Sequence, residues 1–325
     1  MRPIELPPNL QRHFYAGGPR IAALRGLDID AERMPEEWIG AVSTMFGRPD
    51  RGLSRLADGT LLRDAIAADP EAYLGPEHLA RFGPDPGLLV KLLDAGQRLP
   101  VHFHPGREFA RDALDSPHGK TEAWIILEAE PGATVHLGWS RAIEDGEVRE
   151  WMEKQDANAM LAAMHERRVS AGDAIFVPAG TAHAIGAGIL LVELQEPTDF
   201  SILLEWEGFP LTEEQANLGL GWERALGALD RRPGGGPQPR DGLLPAAADP
   251  YFRAERRTAG YAFDPGFSIL IGLAGSGTLA TDGGDLPFAR GSAVLVPHAA
   301  GAGELRGDVA AIRCRPADPG VGAGC

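Results

Sequence analysis

Short apolar runs separated by turn residues fill most of the chain from Gly87 onwards. Runs of this kind, rich in Val, Ile and Leu and bounded by Gly, Pro or Asp, are typical of β-strands. Because helical stretches do not alternate regularly with them, the pattern favours an antiparallel barrel or jelly roll over βαβ units. The predicted strands are residues 88–93, 101–104, 122–127, 134–137, 174–177, 189–194, 200–206, 267–273, 277–280 and 293–296.

Two segments have helical rather than strand periodicity. Residues 151–168 carry an amphipathic stripe that includes three methionines, which predicts a helix packed on the core. Thr212 followed by Gln215 has the spacing of a capping box and predicts a helix over 212–229. Residues 1–85 mix short apolar runs with Pro and Gly, and predict loops, a few strands and one or two modest helices.

A Pro- and Gly-rich segment divides the chain into two unequal parts. Residues 231–244 are predicted to be a linker. The strand-and-turn sequence of residues 171–178 recurs at 290–297, which indicates a repeated barrel. We therefore predict a mainly β protein of two jelly-roll barrels with a few accessory helices. A first unit spans 1–230 and a second, metal-free one spans 245–325.

Composition narrows the classes of function. The 325 residues carry a formal net charge of −15, which disfavours binding to nucleic acid or to a membrane surface. Any anionic substrate therefore needs a local cluster of positive groups. The two cysteines, Cys314 and Cys325, cannot form a disulfide framework, and the first residues do not resemble an export signal. A reducing, cytoplasmic location is expected, and no particular oligomeric state is predicted.

Three histidines have the spacing of a metal site. His102 and His104 lie two apart on a predicted strand, so both imidazoles project from one face. Gly96 precedes them in a G-x5-H-x-H pattern, and Gly172 begins a G-x5-P-x-G-x2-H pattern that ends at His183. These two patterns resemble the metal-binding motifs of the cupin superfamily. In such barrels three imidazoles and a carboxylate bind one divalent metal and leave positions free for substrate oxygens.

The residues alone leave the carboxylate ligand open between Glu108 and Glu122. The generic cupin spacing selects Glu108, but the sequence around it favours a helix or loop, which would not direct it inward. Glu122 begins an apolar strand, where a carboxylate loses water and needs a compensating partner such as a metal.

Longer segments resemble the type I mannose-6-phosphate isomerases. Residues 87–95 and 99–105 are similar to that family's "LLVKxLDA" and "LSVQVHP" segments, and residues 119–122 to its G-K-[TP]-E segment. Residues 177–185 and 191–195 match "IPAGTxHA" and "LxE[IV]Q". The resemblance implies a zinc-dependent aldose–ketose isomerase with one Zn²⁺ per chain. The implied metal ligands are His102, His104, Glu122 and His183.

One family position differs. The family has an arginine four residues after the aspartate that matches Asp199, in a segment like "SDxTxR", and this chain has Leu203 there. Because that arginine is implicated in proton transfer at the sugar, either another arginine enters the pocket, or the reaction or substrate differs from that of the family.

The resemblance also implies catalytic roles for three residues. Isomerisation moves one proton between C1 and C2 of a sugar through an enediolate, which requires a Lewis acid and a general base. Lys120 matches a family lysine that faces the substrate, and Lys120, Asp199 and Glu193 are the candidate proton-handling or orienting groups. The expected substrate is a small sugar or sugar phosphate, with mannose 6-phosphate and fructose 6-phosphate as the leading pair. The alternatives are an Fe- or Mn-dependent cupin enzyme acting on another substrate, and a non-catalytic sugar-binding or regulatory cupin.

Overall fold

The structure is a computed structural model that describes residues 1–236, 238 and 243–320. Strands that pair antiparallel form three sheets within this part of the chain. In chain order the strands are β1 (Ile4–Glu5), β2 (Leu10–Gln11), β3 (Glu36–Ile39), β4 (Leu89–Ala95), β5 (His102–Phe103), β6 (Glu122–Ala129), β7 (Thr134–Trp139), β8 (Met164–Arg168), β9 (Ala174–Val177), β10 (His183–Ile185), β11 (Ile189–Gln195), β12 (Ile202–Leu203), β13 (Phe252–Thr258), β14 (Ala262–Phe263), β15 (Ser268–Thr281), β16 (Gly284–Ala289), β17 (Ala293–Val296) and β18 (Gly303–Pro316).

Short helices connect and flank the sheets. They are α1 (Pro19–Arg25), α2 (Leu62–Ala68), α3 (Pro70–Leu74), α4 (Pro76–Phe82), α5 (Arg107–Leu114), α6 (Asp145–Glu153), α7 (Ala157–Ala162), α8 (Glu213–Ala216) and α9 (Trp222–Ala225). Single 3-10 turns occupy Leu226–Ala228, Ala246–Ala248 and His298–Ala300.

Two sheets build the barrel that carries the three histidines. One has the strand order β2-β3-β4-β11-β6-β9 and the other β12-β5-β10-β7-β8. The prediction of a mainly β fold is confirmed. Every residue of β4, β9 and β11 is buried, because these strands are covered on both faces. Their continuous apolar sequences reflect this burial.

The third sheet has the order β1-β17-β15-β18-β13, with β14 and β16 attached at its sides. The repeated segments of the sequence form β9 and β17, which lie in different sheets. Strand β1 comes from the N-terminus and pairs with β17, Ile4 opposite Leu295. The N-terminal segment therefore contributes a strand to the sheet of the C-terminal half, and the division at 1–230, 231–244 and 245–325 remains a prediction.

The predicted helix over 151–168 is wrong in its second half. Gln155 adopts a positive φ of 48° between α6 and α7, and residues from Met164 form strand β8. The Gln155 side chain accepts hydrogen bonds from the backbone of Trp206 and Glu207, at 2.7 and 2.9 Å. Met152 and Met160 of the amphipathic stripe are buried, as expected for a core-facing stripe. The helix nevertheless breaks at Gln155, where this long-range contact forms, and the periodicity of the sequence does not reveal the break.

Other element boundaries also differ from prediction. The capping box at Thr212 forms as predicted, but the helix stops at Ala216 because Leu218, Gly219 and Gly221 take positive φ values. The predicted strands 267–273 and 277–280 are one strand, β15, with a bulge between Gly272 and Ala274. Four helices, α1–α4, lie in the first 85 residues, where one or two were expected.

A large apolar cluster joins the two halves of the chain. It includes Leu6 and Ile39 from the N-terminal part and Phe252, Ile269 and Leu295 from the C-terminal part, all buried. Gly40 packs against the Ile269 side chain so closely that a Cβ there would lie 2.8 Å from Ile269 Cδ1. The two halves therefore share one continuous core.

The predicted linker lies partly outside the described residues. Of 231–244, residues 237 and 239–242 are not described, and neither is Cys325. The described part contacts the first barrel: Gly234 N–H donates to the carbonyl of Trp139 at 2.8 Å, and the Gln238 amide donates to that of Phe176 at 2.8 Å. Cys314 is buried in strand β18 with a free thiol.

Among the described helices, none combines the length and the apolar composition needed to cross a lipid bilayer.

Ile269 offers a test of the shared core. Ile269→Ala removes a side chain that is 1% exposed, and should lower the free energy of unfolding by about 2–5 kcal/mol, measured by urea denaturation. Ile29→Ala is the matched control, because Ile29 is 47% exposed and should change stability by less than about 0.5 kcal/mol. Equal effects of the two variants would contradict the shared core.

Candidate metal centre and its cavity

Neighbouring strands bring the three histidines together. His183 in β10 lies directly opposite His102 in β5, and His104 follows one residue beyond the end of β5. The ring centroids of His102 and His183 are 4.0 Å apart, and that of His104 lies 5.0 and 4.8 Å from them. Two segments about eighty residues apart in the sequence thus converge on one point inside the barrel.

Each imidazole is oriented by a hydrogen bond from its Nδ1 to a backbone carbonyl. The acceptors are Pro100 for His102, Phe200 for His104 and Thr181 for His183, each at 2.8 Å. A ring that donates through Nδ1–H carries its lone pair on Nε2. The backbone therefore selects the tautomer that directs Nε2 towards the centre of the cluster, as in metal sites with an ordered outer shell.

Burial keeps the imidazoles neutral. Burial, reinforced by the charge of Lys120, lowers the pKa of His104 to about 3, and burial together with His104 lowers the pKa of His183 to about 3. The pKa of His102 is also well below its usual value, chiefly because of burial. Neutral imidazole is the form that binds a metal ion.

The donor set fits a divalent metal. One nitrogen from each of the three histidines lies within 4.8 Å of the others. His183 Nε2 is buried and has no hydrogen-bond partner among the described residues, although a buried polar atom normally has one. His102, His104 and His183 thus form a site that can hold a metal ion.

Glu122 lies beside the histidines and Glu108 does not. Glu122, at the start of β6, is 1% exposed, with Oε2 3.0 Å from His104 Nε2 and Oε1 3.4 Å from His183 Nε2. Trp124 Nε1 donates to Glu122 Oε1 at 2.9 Å and orients the carboxylate. Glu108 is exposed in the first turn of α5. The position of Glu122 makes it the carboxylate available to a metal held by the histidines.

Lys120 is buried in the same cluster. Its Nζ lies 3.0 Å from His104 Nε2 and 3.1 Å from Glu122 Oε2. Burial by itself raises the pKa of Glu122, but Lys120 and His104 outweigh it and hold the pKa well below its usual value. Lys120 therefore stabilises the carboxylate in its charged form, which is the form that can act as a ligand.

Glu193 and Asp199 belong to a second charged group, centred on Lys91. Lys91 Nζ lies 3.3 Å from Glu193 Oε1, 3.3 Å from Glu36 Oε2 and 3.8 Å from Asp199 Oδ1. Burial opposes the charge of Lys91, but the surrounding carboxylates raise its pKa above the usual value. This buried ammonium thus holds three carboxylates at the wall of the site.

Glu193 differs from its neighbours in how it titrates. Burial, followed by repulsion from Glu122, raises the pKa of Glu193 to about 7. By contrast Lys91, together with hydrogen bonds from Tyr15 (2.6 Å) and Trp38 (2.7 Å), overcomes burial and lowers the pKa of Glu36. The pKa values of two carboxylates beside one lysine are therefore shifted in opposite directions, which is a common arrangement at acid–base sites.

A cavity of about 620 Å³ connects both charged groups to solvent. Its lining includes His102, Lys120 and Glu122 from the histidine cluster and Lys91, Glu193 and Asp199 from the second charged group. Its size falls in the usual range for small-molecule sites.

Sequence reasoning missed part of this cavity. Glu36, Tyr15, Arg12, Arg48 and Arg51 also line it. The signal for Glu36 was Lys91, because a lysine within a buried apolar strand needs carboxylate partners. No pattern in the sequence connects the three arginines to the histidines.

Leu203 lies where the sequence comparison placed it, at the site. It is 4% exposed, lines the cavity and pairs across the sheet with His102. The wall next to this histidine is therefore apolar at the position where related sequences are expected to carry an arginine.

Comparisons with known proteins were made for the sequence and for the fold. No family model matches the chain. The mannose-6-phosphate isomerase of Streptococcus mutans is 32% identical over 201 residues, which cover 61% of this chain and 58% of that protein. The matched segment therefore spans less than two thirds of the relative's length.

Solved structures resemble almost the whole chain. The mannose 6-phosphate isomerase of Bacillus subtilis matches with a TM-score of 0.78 at 22% identity, covering 97% of this chain and 100% of that one. A mannose 6-phosphate isomerase bound with zinc and yttrium matches with a TM-score of 0.75 at 15% identity, covering 98% and 100%. At these identities the solved structures show only that the fold is similar, whereas the relative from Streptococcus mutans shows similarity of sequence. The chain is thus similar to mannose-6-phosphate isomerases in sequence over 201 residues and in fold over almost its whole length.

Proposed function

We propose that the protein is a zinc-dependent aldose–ketose isomerase that interconverts mannose 6-phosphate and fructose 6-phosphate. The observation that carries the proposal is a cluster of three histidines, Glu122 and Lys120, namely His102, His104 and His183 with the two charged residues. Of this cluster, His102, Glu122 and Lys120 line one open cavity. The proposal assigns to this chain the activity for which its relative is named, although the two sequences match over 201 residues only.

The proposed metal ligands are His102, His104, Glu122 and His183, with one Zn²⁺ per chain. Three imidazole nitrogens and one carboxylate oxygen are donors that zinc accepts. A fold neighbour is described as bound with zinc. When bound, such an ion supplies Lewis acidity to the oxygens of the sugar.

The chain's own groups account for binding and proton transfer. Lys120, 3.1 Å from Glu122 Oε2, is positioned to donate hydrogen bonds to sugar oxygens beside the histidines. Glu193 lines the same cavity and is a carboxylate that can accept a carbon-bound proton and return it to the neighbouring carbon. Asp199, 3.8 Å from Lys91, serves as the orienting carboxylate.

Leu203 supports a second candidate, a sugar-binding cupin without turnover. It places an apolar, buried side chain opposite His102, where the sequence resemblance implies an arginine that assists proton transfer. The third candidate, an Fe- or Mn-dependent enzyme, has the same donor set and is separated by elemental analysis of the purified protein.

A cytoplasmic location is part of the proposal. Its support is the use of cysteine: Cys314 is a buried free thiol, and a free thiol fits a reducing compartment.

Metal content tests the ligand assignment. His104→Ala removes one donor and should lower the divalent metal retained per chain by at least about tenfold, because even loss of an outer-shell partner costs that much affinity. Inductively coupled plasma mass spectrometry measures the loss and identifies the element. His165→Ala is the control, since His165 is exposed in β8 and its loss should leave the metal content unchanged. Full retention of metal by His104→Ala would refute the assignment.

Turnover tests the function. The unmodified protein should convert mannose 6-phosphate to fructose 6-phosphate in a coupled assay. Lys120→Met should lower kcat by about 100- to 10,000-fold, the usual contribution of a group that acts on protons in the transition state. Lys154→Met is the matched control, because the Lys154 side chain is 64% exposed and pairs only with the exposed Glu150.

The interpretation of the turnover assay depends on the metal content of the same samples. If Lys120→Met retains its metal and loses turnover, Lys120 acts on the substrate. If the unmodified, metal-loaded protein binds sugar phosphate without converting it, the non-catalytic reading replaces the isomerase.

A further inference from the structure

Three arginines line the same cavity as His102. Arg12 follows β2, and Arg48 and Arg51 lie in the loop that follows β3. Arg12 and Arg48 are exposed and Arg51 is half-buried, whereas Glu36, Glu122 and Glu193 of the same cavity are buried. The arginines therefore lie on the solvent side of the space whose inner wall carries the metal site.

These arginines have no carboxylate partner among the described residues. Other arginines of the chain pair closely, as Arg20 does with Asp94 at 3.0 Å and Arg98 with Glu205 at 2.5 Å. The neighbouring acidic groups, Asp50 in the loop and Glu214 on the cavity rim, are exposed and form no ion pair with them. In a protein with a net charge of −15, an unneutralised group of three arginines is a local attraction for an anion.

The loop holds its arginines in place. Arg48 N–H donates to the carbonyl of Met45 at 2.9 Å, and Met45 N–H donates to that of Arg51 at 3.0 Å, so the loop closes on itself. The Arg51 guanidinium also donates to the backbone carbonyl of Arg12 at 2.6 Å, which ties the two segments together. The backbone that carries the arginines and the Arg51 guanidinium are thus held in place without a ligand, so less entropy is lost on binding.

The loop is also connected to the metal site. The Phe46 ring packs edge-on against the Phe200 ring, with centroids 5.5 Å apart. The carbonyl of Phe200 accepts the hydrogen bond that orients His104, at 2.8 Å. One packed contact therefore separates the arginine loop from a metal-site histidine.

The inner wall offers little to a phosphate. Lys91 and Lys120 are already engaged by buried carboxylates, and Leu203 contributes neither charge nor a hydrogen bond. A phosphate held against this wall would meet Glu36, Glu122 and Glu193. Guanidinium groups, in contrast, match phosphate oxygens with paired hydrogen bonds.

We propose that Arg12, Arg48 and Arg51 form the subsite that binds the phosphate group of a phosphorylated sugar whose reacting carbons lie at the histidine site. The inference rests on the proposed function and makes phosphate a requirement for tight binding.

The test uses Arg12→Gln, Arg48→Gln and the double variant, and leaves Arg51 intact because it holds the carbonyl of Arg12. Each single variant should raise the KM for mannose 6-phosphate by about tenfold or more, as expected for loss of a charged hydrogen bond, with a smaller change in kcat. Arg48→Lys should recover part of the loss. Arg55→Gln is the control, because Arg55 is exposed and does not line the cavity.

Calorimetric titration of the metal-loaded protein with inorganic phosphate separates this inference from the proposed function. Phosphate should bind the unmodified protein and bind the double variant at least about tenfold more weakly. If phosphate binding follows the arginines but no isomerisation occurs, the subsite stands and the proposed function fails. If isomerisation occurs with the same KM in the double variant, or equally with unphosphorylated mannose, the subsite is refuted and the isomerase stands.

Discussion

The hydrogen bonds between the histidine rings and backbone carbonyls are the interactions on which the site depends. His102 and His183 each bond to a carbonyl two residues earlier, whereas His104 bonds to that of Phe200, far along the chain. Because these bonds occupy Nδ1, each ring directs Nε2 into the cluster, and the strand pairing of His102 with His183 brings two of these rings to the same point. The barrel thus forms, from neutral groups that are stable when buried, a site that can hold a metal ion.

The buried charged groups of this interior lie beside groups of opposite charge. Two of the chain's three lysines, Lys91 and Lys120, are buried here, each in contact with carboxylates. Removing one partner from such a set costs several kcal/mol, roughly 3–5 for a buried pair, because the other charge is left unpaired. The result is a cavity whose inner wall sets two lysines among four carboxylates, while the arginines at its outer side have no carboxylate partner among the described residues.

Packing between the two halves supports this arrangement from outside. The sheet that carries β4 and β11 shares a core with the C-terminal sheet, and the N-terminal strand β1 pairs with β17. Arg107 likewise reaches from α5 to the ring of Tyr251, 4.6 Å away, and forms an ion pair with Glu196 at 2.5 Å. The C-terminal sheet therefore packs against the sheet that carries β4 and β11.

Much of the mainly β fold could be predicted from the chain alone, because β-strand periodicity and turn residues are local signals. Strands β9 and β17 have the predicted bounds, and the order of motifs around His102, His104 and His183 was enough to indicate a metal site. The helix breaks at Gln155 and Leu218 were not predictable. They occur beside contacts or backbone conformations that the amphipathic pattern does not encode.

The sequence by itself determined which residue types are available for chemistry and the spacing that places two histidines on one strand face. Tertiary structure alone decided that Glu122 rather than Glu108 lies beside them, that Lys91 joins Glu36 to Glu193, and that Arg12 meets the loop of Arg48 and Arg51. The physical reason is that burial and charge pairing depend on distances through space. Residues far apart in the chain acquire those distances only when the sheets close into a barrel.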